Sequence, residues 1–339
     1  MSSNQRNLSL LLILALLGGA GTAEAQAPLG TRAAGLAGAF VGVADDASAV
    51  YWNPAGLATG AVVSAIVTFA SDETAPKVPQ TAAGERHTGT MVALSLPPVG
   101  LAYYRVAAYG TEVATPAVTG PQSREEVRRS VHALTTSTAG VSLLQSLTEY
   151  IVVGVTPKFV WASAASGVAS DARAHDALST AESLDGFGST KFDVDAGVMF
   201  AMQHIRLGLV GRNLTKPVFD VAEDGIDGIE LAREVRAGVG YGLTWPGITR
   251  LVVALDADLV SRVTPFGDRR DVAVGVETWW LAQRLGVRGG MRRSTTGESR
   301  AAAAVGVSAG LRPAMLIEAH GVFGQKEERG WSIGLRAGF

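Results

Sequence analysis

From Lys191 to Met202 the residues Phe192, Val194, Ala196, Val198, Phe200 and Met202 share one parity, while Asp193, Asp195 and Gly197 take the other. Successive side chains of a strand leave opposite faces, so this spacing predicts a strand with one apolar and one polar wall. Ile205, Leu207 and Leu209 continue the alternation after a Gln203-His204 turn, opposite Arg206 and Gly208. The pattern recurs along the second half of the chain. Val235–Leu243 alternates with Arg236 and three glycines, and Leu251–Leu259 with Asp256 and Asp258. Val272–Val276 opposes Glu277; Val287 and Met291 oppose Arg288 and Arg292; Val305–Leu311 opposes Ser308 and Arg312. Met315–Ala319 opposes Glu318 and His320, and Trp331–Phe339 opposes Ser332 and Arg336.

Five less regular strands are predicted earlier, over Val62–Phe69, Thr88–Leu96, Leu101–Tyr109, His132–Leu144 and Tyr150–Trp161. The total is about fourteen, an even number that returns both ends of a single-chain barrel to one side. Polar excursions at Asp72–Arg86, Gly110–Arg129, Ala162–Thr190 and Lys216–Arg233 have the length of extracellular loops, Ala162–Thr190 being rich in Ala, Ser and Asp. A sheet with one charged face also suits a soluble sandwich. Here the charged face is glycine-rich and the apolar face carries Val, Leu and Ala, which suits lipid outside and a narrow, charge-lined interior. The fold expected is all-β: an approximately 14-stranded antiparallel transmembrane β-barrel.

The N-terminus changes the picture by adding export. Arg6 precedes an apolar run from Leu8 to Leu17, and Ala23-Glu24-Ala25 offers a small-x-small cleavage site. The run is shorter than the roughly 20 residues a spanning helix needs. Composition removes alternatives. The absence of cysteine excludes disulfides and thiolate chemistry. A net charge of -2 gives no reason to expect nucleic acid as a partner. The five histidines form no HExxH or other metal-binding spacing, the serines lack a nucleophile-elbow context, and no EF-hand loop is present. No enzyme activity and no cofactor is expected.

The segment from Gly30 to Leu57, GTRAAGLAGAFVGVADDASAVYWNPAGL, resembles the N-terminal region shared by the long-chain fatty-acid transporter superfamily of outer-membrane proteins. It also resembles the barrel components of type IX secretion and a conjugation-associated family. Lys191–Phe219, with RLGLVGRNLTKPVF at its end, resembles a second signature of that conjugation- and secretion-related branch. Phe339 is similar to the terminal aromatic read by barrel-assembly machinery. The resemblance implies a fourteen-stranded barrel with an N-terminal luminal plug. The expected organisation is a signal peptide over residues 1–25, a plug segment over 26–58 and an outer-membrane barrel over 59–339.

Read as residues, Gly30, Gly35, Gly38 and Gly42 permit turns or close backbone approach inside a crowded lumen. Asp45 and Asp46 either pair with lumen-facing arginines or cap the turn before Ala47. Asn53-Pro54 and Gly56 turn the chain toward its first strand. Asp193, Asp195, Arg206, Arg236, Asp256, Asp258, Glu277, Arg288, Arg292, Arg312, Glu318, His320 and Arg336 form the expected lumen lining, with Glu318 and His320 close enough in register to meet. Tyr51 and Trp52 adjoin the plug turn, while Trp161, Trp245, Trp279, Trp280 and Trp331 lie near strand ends and suit an interfacial girdle, though some of these rings can instead cover the plug. Two functions fit: a bacterial outer-membrane transport or channel protein for a small hydrophobic solute, or a non-enzymatic interaction protein in secretion or conjugation. The expected partners are outer-membrane lipid, the barrel-assembly machinery, and either a hydrophobic ligand or a secretion or conjugation protein.

Overall fold

The computed structural model describes residues 29–77, 83–112, 115–116, 127–170, 173–219, 229–245, 248–264, 267–297 and 300–339. The proposed signal peptide lies outside them. Fourteen antiparallel strands form the wall. They are β1 (Ser64–Thr74), β2 (Gly84–Leu96), β3 (Val99–Thr111), β4 (Val127–Ser146), β5 (Ile151–Ala169), β6 (Phe187–Met202) and β7 (Ile205–Arg212). They continue as β8 (Glu234–Trp245), β9 (Ile248–Asp258), β10 (Asp271–Trp280), β11 (Leu285–Ser294), β12 (Ala301–Arg312), β13 (Met315–Gly324) and β14 (Arg329–Gly338). Each pairs with its neighbour in sequence, and β1 pairs with β14 from Ser64↔Gly338 to Glu73↔Arg329. The ring closes, so no strand of it is left as a free edge.

Alternation sorts the side chains. On β6, Phe192 and Val198 are exposed on the outer face while Asp193 and Asp195 are buried inside. Leu207, Leu255, Val274, Val305 and Ile333 extend that outer apolar belt around the ring. Such a surface is covered by lipid in a membrane barrel. Val274→Arg, at mid-height on β10, is therefore expected to cost about 2–4 kcal/mol in a bilayer, and Thr278→Arg, near the strand's end, about 0–1 kcal/mol. Urea unfolding in lipid vesicles measures both; equal effects at the two heights would contradict a lipid-facing belt.

The strands are of unequal height. A membrane-crossing strand takes about 9–11 residues, and β4 and β5 have 20 and 19. They continue well past the membrane on the side opposite the short turns. This corrects the loop boundaries expected from polarity alone. Ala162 and Ala164 belong to β5 and face inward, because small side chains there pack beneath Phe219 and Leu231. The rest of the Ala162–Thr190 excursion contains a helix, α3 (Ala174–Glu182), before β6 starts at Phe187. Ala177 and Ala181 of α3 cover the outer face of the tall strands at Val131 and Ala169. Polar contacts fasten the helix: His175 Nδ1 lies 2.6 Å from Glu73 Oε1, and Arg86 bridges Glu73 at 2.7 Å and Glu182 at 3.0 Å.

Leu29 to Leu57 lie inside the ring, almost wholly buried. This stretch contains two short helical turns, α1 (Thr31–Gly35) and α2 (Ala49–Trp52), followed by a 3-10 helix over Pro54–Thr59. Its apolar residues Leu36, Phe40, Val50 and Leu57 cluster with the inward-facing Ile66, Met91, Tyr104, Val106 and Val252 of the wall.

Candidate functional site: the occupied barrel interior

The interior is built where the Leu29–Leu57 segment meets the wall. Gly42 shows why small residues are needed: a Cβ there would sit 2.9 Å from the backbone of Gly238 and Gly240 on β8. Gly38 has φ +84°, a left-handed conformation that glycine takes without strain. Gly30, which precedes α1, and Gly35, its last residue, are both buried. Asn53 ties the segment down: its side-chain amide donates to the carbonyl oxygens of Val41 and Val198, each at 3.2 Å, and its Oδ1 accepts from Ala55 N. Pro54 then starts the 3-10 helix, and the Gly56 N–H closes the turn onto Asn53 O at 2.8 Å.

Six charges of alternating sign form a closed circuit between this segment and the strands β10–β14. Arg32 holds Glu277 at 2.7 Å; Glu277 reaches Arg288 at 3.3 Å; Arg288 reaches Glu318 at 3.5 Å. Glu318 binds Arg336 at 3.0 Å, Arg336 lies 3.8 Å from Asp46, and Asp46 lies 3.4 Å from Arg32. Three arginines balance three carboxylates, which lets them sit together away from bulk water, where an unmatched ion is costly. Asp45 extends the circuit toward the short-turn end by pairing with Arg32, with Arg206 at 3.0 Å and with Arg250 at 2.7 Å. Asp46 also accepts from Ser48 N at 2.9 Å, so ion pairing and turn capping both occur at this residue.

Two further clusters complete the polar lining. Asp256 accepts the backbone N–H groups of Phe40 and Val41, each at 2.8 Å, and Arg236 bridges Asp256 and Asp258 at 3.4 and 3.1 Å. Lys158 on β5 lies 3.2 Å from Asp193 and 2.7 Å from Asp195 on the neighbouring strand. The chain leaving β7 folds back over this cluster: Asn213 N donates to Asp195 at 2.8 Å, and Thr215 Oγ1 to Asp193 at 2.8 Å.

Other positions depart from the sequence-based expectation. Arg312 is exposed at the end of β12, past a register shift between Gly310 and Arg312, and joins none of these clusters. Glu318 and His320 do not pair: Glu318 accepts from Ser308 at 2.8 Å, and His320 Nδ1 lies 2.6 Å from Ser332 Oγ. Arg292, half-buried, keeps the inward parity of Arg288 and pairs with Glu328. Trp279 faces the interior rather than the membrane interface, with Arg336 and Arg288 over its ring at 5.3 and 5.7 Å. Tyr51 and Trp52 are interior as well, and Arg212 stacks on Tyr51 at 4.0 Å. Lys158, Arg32 and Arg250 escaped sequence-based selection. Arg32 did carry a signal, as the one charged side chain between Leu29 and Ala44.

The inner wall is thus divided. Described inward positions from Gly100 to Ala108 on β3 and from Leu134 to Ser142 on β4 carry no charge, and Lys158 is the one charge from Val152 to Ala164 on β5. At the short-turn end this nearly uncharged sector, which also carries the hydroxyls of Thr136, Thr138, Ser142 and Thr156, runs toward an open recess of about 740 Å³, lined by Thr59, Leu147, Val152, Met199, Met202 and Arg206. A second recess of about 310 Å³ lies on the other side of Arg206, beside Val43, Val252 and Arg250.

Comparison with solved structures finds the same architecture. The monoaromatic hydrocarbon channel CymD superposes with a TM-score of 0.59 at 12% identity, covering 91% of this chain and 97% of that one. A Pseudomonas aeruginosa FadL homologue gives 0.56 at 12% identity, with 94% and 99% covered. The Pseudomonas putida toluene transporter TodX gives 0.54 at 10% identity, with 86% and 94% covered. No curated protein matches the sequence. The closed ring and its exposed apolar belt place the chain in a bacterial outer membrane, with lipid around it and barrel-assembly machinery required to insert it. In barrels of this kind the short turns are periplasmic and the long connections extracellular. Residues 50–258, more than half of the chain, match the family described as F plasmid transfer operon, TraF, protein, and the chain belongs to that family.

Proposed function

We propose that the barrel conducts a small hydrophobic solute across the outer membrane, along the nearly uncharged sector of its inner wall. The observation that carries this reading is the division of the interior. Inward charges gather on β1, β2 and β6–β14, while the inward faces of β3–β5, with Lys158 as their one charge over the ranges above, offer Tyr104 and Val106 beside the buried segment and Leu134 and Val160 beside Phe219. In this reading residues 26–58 act as a plug, held by the charged sector and yielding on its apolar side, and residues 59–339 act as the conducting barrel. Residues 1–25 serve as a cleaved export signal. The lumen charges fix the plug and bind no cofactor. The names of the similar structures, two of them hydrocarbon channels or transporters, favour this solute class.

Flux into liposomes tests the proposal. Purified protein is expected to speed entry of toluene-sized solutes without a matching increase for sugars of similar mass. Equal rates with and without protein across such a panel would remove the transport reading. The family match favours a second reading, in which the barrel anchors a contact with another envelope protein. Crosslinking from periplasmic turns and extracellular loops in intact envelopes is then expected to recover one reproducible partner.

A further inference from the structure

Above the Lys158 cluster, toward the extracellular end, the inner wall forms an apolar chamber from Leu134 on β4 and Val160, Ala162 and Ala164 on β5, closed by Leu231. Its occupant is the Phe219 side chain, 1% exposed. Phe219 does not belong to the wall. It stands on the chain that leaves β7, turns inward at Asn213 and Lys216, both at positive φ (54° and 51°), and makes a two-residue ladder, Val218–Phe219 against Ile229–Glu230. Polar anchors aim this arm, through the Asn213 and Thr215 bonds to Asp195 and Asp193 and a bond from Leu231 N to Pro217 O at 2.9 Å.

We propose that this chamber is an internal binding site for one ring-sized apolar molecule, which the chain itself occupies with Phe219. The chamber wall supplies mainly aliphatic and alanine surface, with the hydroxyls of Thr136 and Ser189 opposite Ala162 in register at its margin, so it selects first by size and hydrophobicity. Ala162 and Ala164 leave the width that a ring needs. The anchors to the ion cluster lie at Asn213 and Thr215, and the ladder at Phe219 holds only its backbone, so a solute can displace the ring by side-chain rotation without breaking the cluster below. Apolar cavities of about 150 Å³ stay dry and take benzene-sized guests, and removing the phenyl group leaves a space of that kind. The inference deepens the transport reading and rests on it for its physiological meaning.

The test uses the full chain refolded in detergent, with toluene as probe and binding read by calorimetry. Phe219→Ala is expected to bind toluene at least tenfold more tightly than the wild type, and Phe219→Leu to fall between them. In the double variant F219A/A162F, a phenyl group supplied from the wall should abolish the gain. In liposomes F219A should raise toluene flux several-fold while arabinose flux stays at the wild-type level. Unchanged toluene affinity in both F219A and F219L, or an equal rise in arabinose flux, overturns the proposal; if F219A does not fold, F219L and the wild type decide it. The two readings fail separately. Wild-type toluene flux with no response to Phe219 substitution removes the chamber alone. Tighter binding by F219A in a barrel that conducts no apolar solute removes transport and keeps the chamber.

Discussion

Glu277→Ala is expected to destabilise the barrel by about 3–5 kcal/mol, the range for removing one partner of a buried ion pair. Glu277 is fully buried and serves two arginines, Arg32 on the interior segment and Arg288 on β11. Its loss opens the six-membered circuit at one of the two points where it joins the segment to the wall. Arg32 would keep Asp45 and Asp46, both on its own segment, so the tie across to β10 is what disappears. The variant should therefore loosen the segment more than the ring. Urea unfolding in vesicles reads the first effect, and tryptic cleavage after Arg32 in the folded barrel reads the second. The charge-exchanged double variant, Arg32→Glu with Glu277→Arg, should recover only part of the loss, because Arg288 and Asp45 would then each face a like charge. A single variant as stable as the wild type, with Arg32 still protected, would show that the circuit does not hold the segment.

Lys158→Met is expected to have an effect of similar size, for a different reason. Asp193 and Asp195 stand two residues apart on the same face of β6, at 0% and 1% exposure, and Lys158 is the cation between them. Methionine keeps most of the volume and removes the charge, leaving two carboxylates with only Asn213 and Thr215 as nearby donors. About 3–5 kcal/mol should be lost. Making the site neutral as a whole, with D193N and D195N added to K158M, should return most of it, since replacing a complete buried ionic cluster is often close to neutral. Unfolding midpoints of the wild type, the single variant and the triple variant test this sequence. A triple variant no better than the single one would show that shape, and not charge, holds β5 to β6 here.

The membrane-facing half of this structure was legible because it repeats a simple rule. Phe192 and Val198 face lipid, Asp193 and Asp195 face inward, and the same period of two recurs through β14. Lipid rewards that alternation on every strand, so the pattern survives in the sequence. The upper barrel obeys no such rule. Ala162–Ala169 continues β5 above the membrane, where neither face needs strong apolar character, and an Ala- and Ser-rich strand reads as a loop. Phe219 is an isolated aromatic in a polar excursion, and its burial depends on the inward turn at Asn213. The charged clusters were legible as a set and not as pairs. Parity announced Glu277 and Arg288 as inward, but their partners are fixed by register and by a segment that carries no periodicity. Arg312 shows the limit, since one register shift moved an inward-parity residue out of the interior.

The seam between β1 and β14 has a consequence for biogenesis. Ten consecutive residue pairs join Ser64–Glu73 to Arg329–Gly338, so the first strand of the ring must wait for its fourteenth. Throughout synthesis and export the outer edge of β1 has no partner, and once β13 is in place it too presents an open edge. Both are ready templates for pairing with another chain. A ribosome that stops before Arg329 would thus release a thirteen-stranded polypeptide with two adhesive borders, and its natural fate is aggregation in the periplasm or destruction there. Holding β1 until β14 arrives is therefore the task this topology sets for any assembly factor that handles the chain.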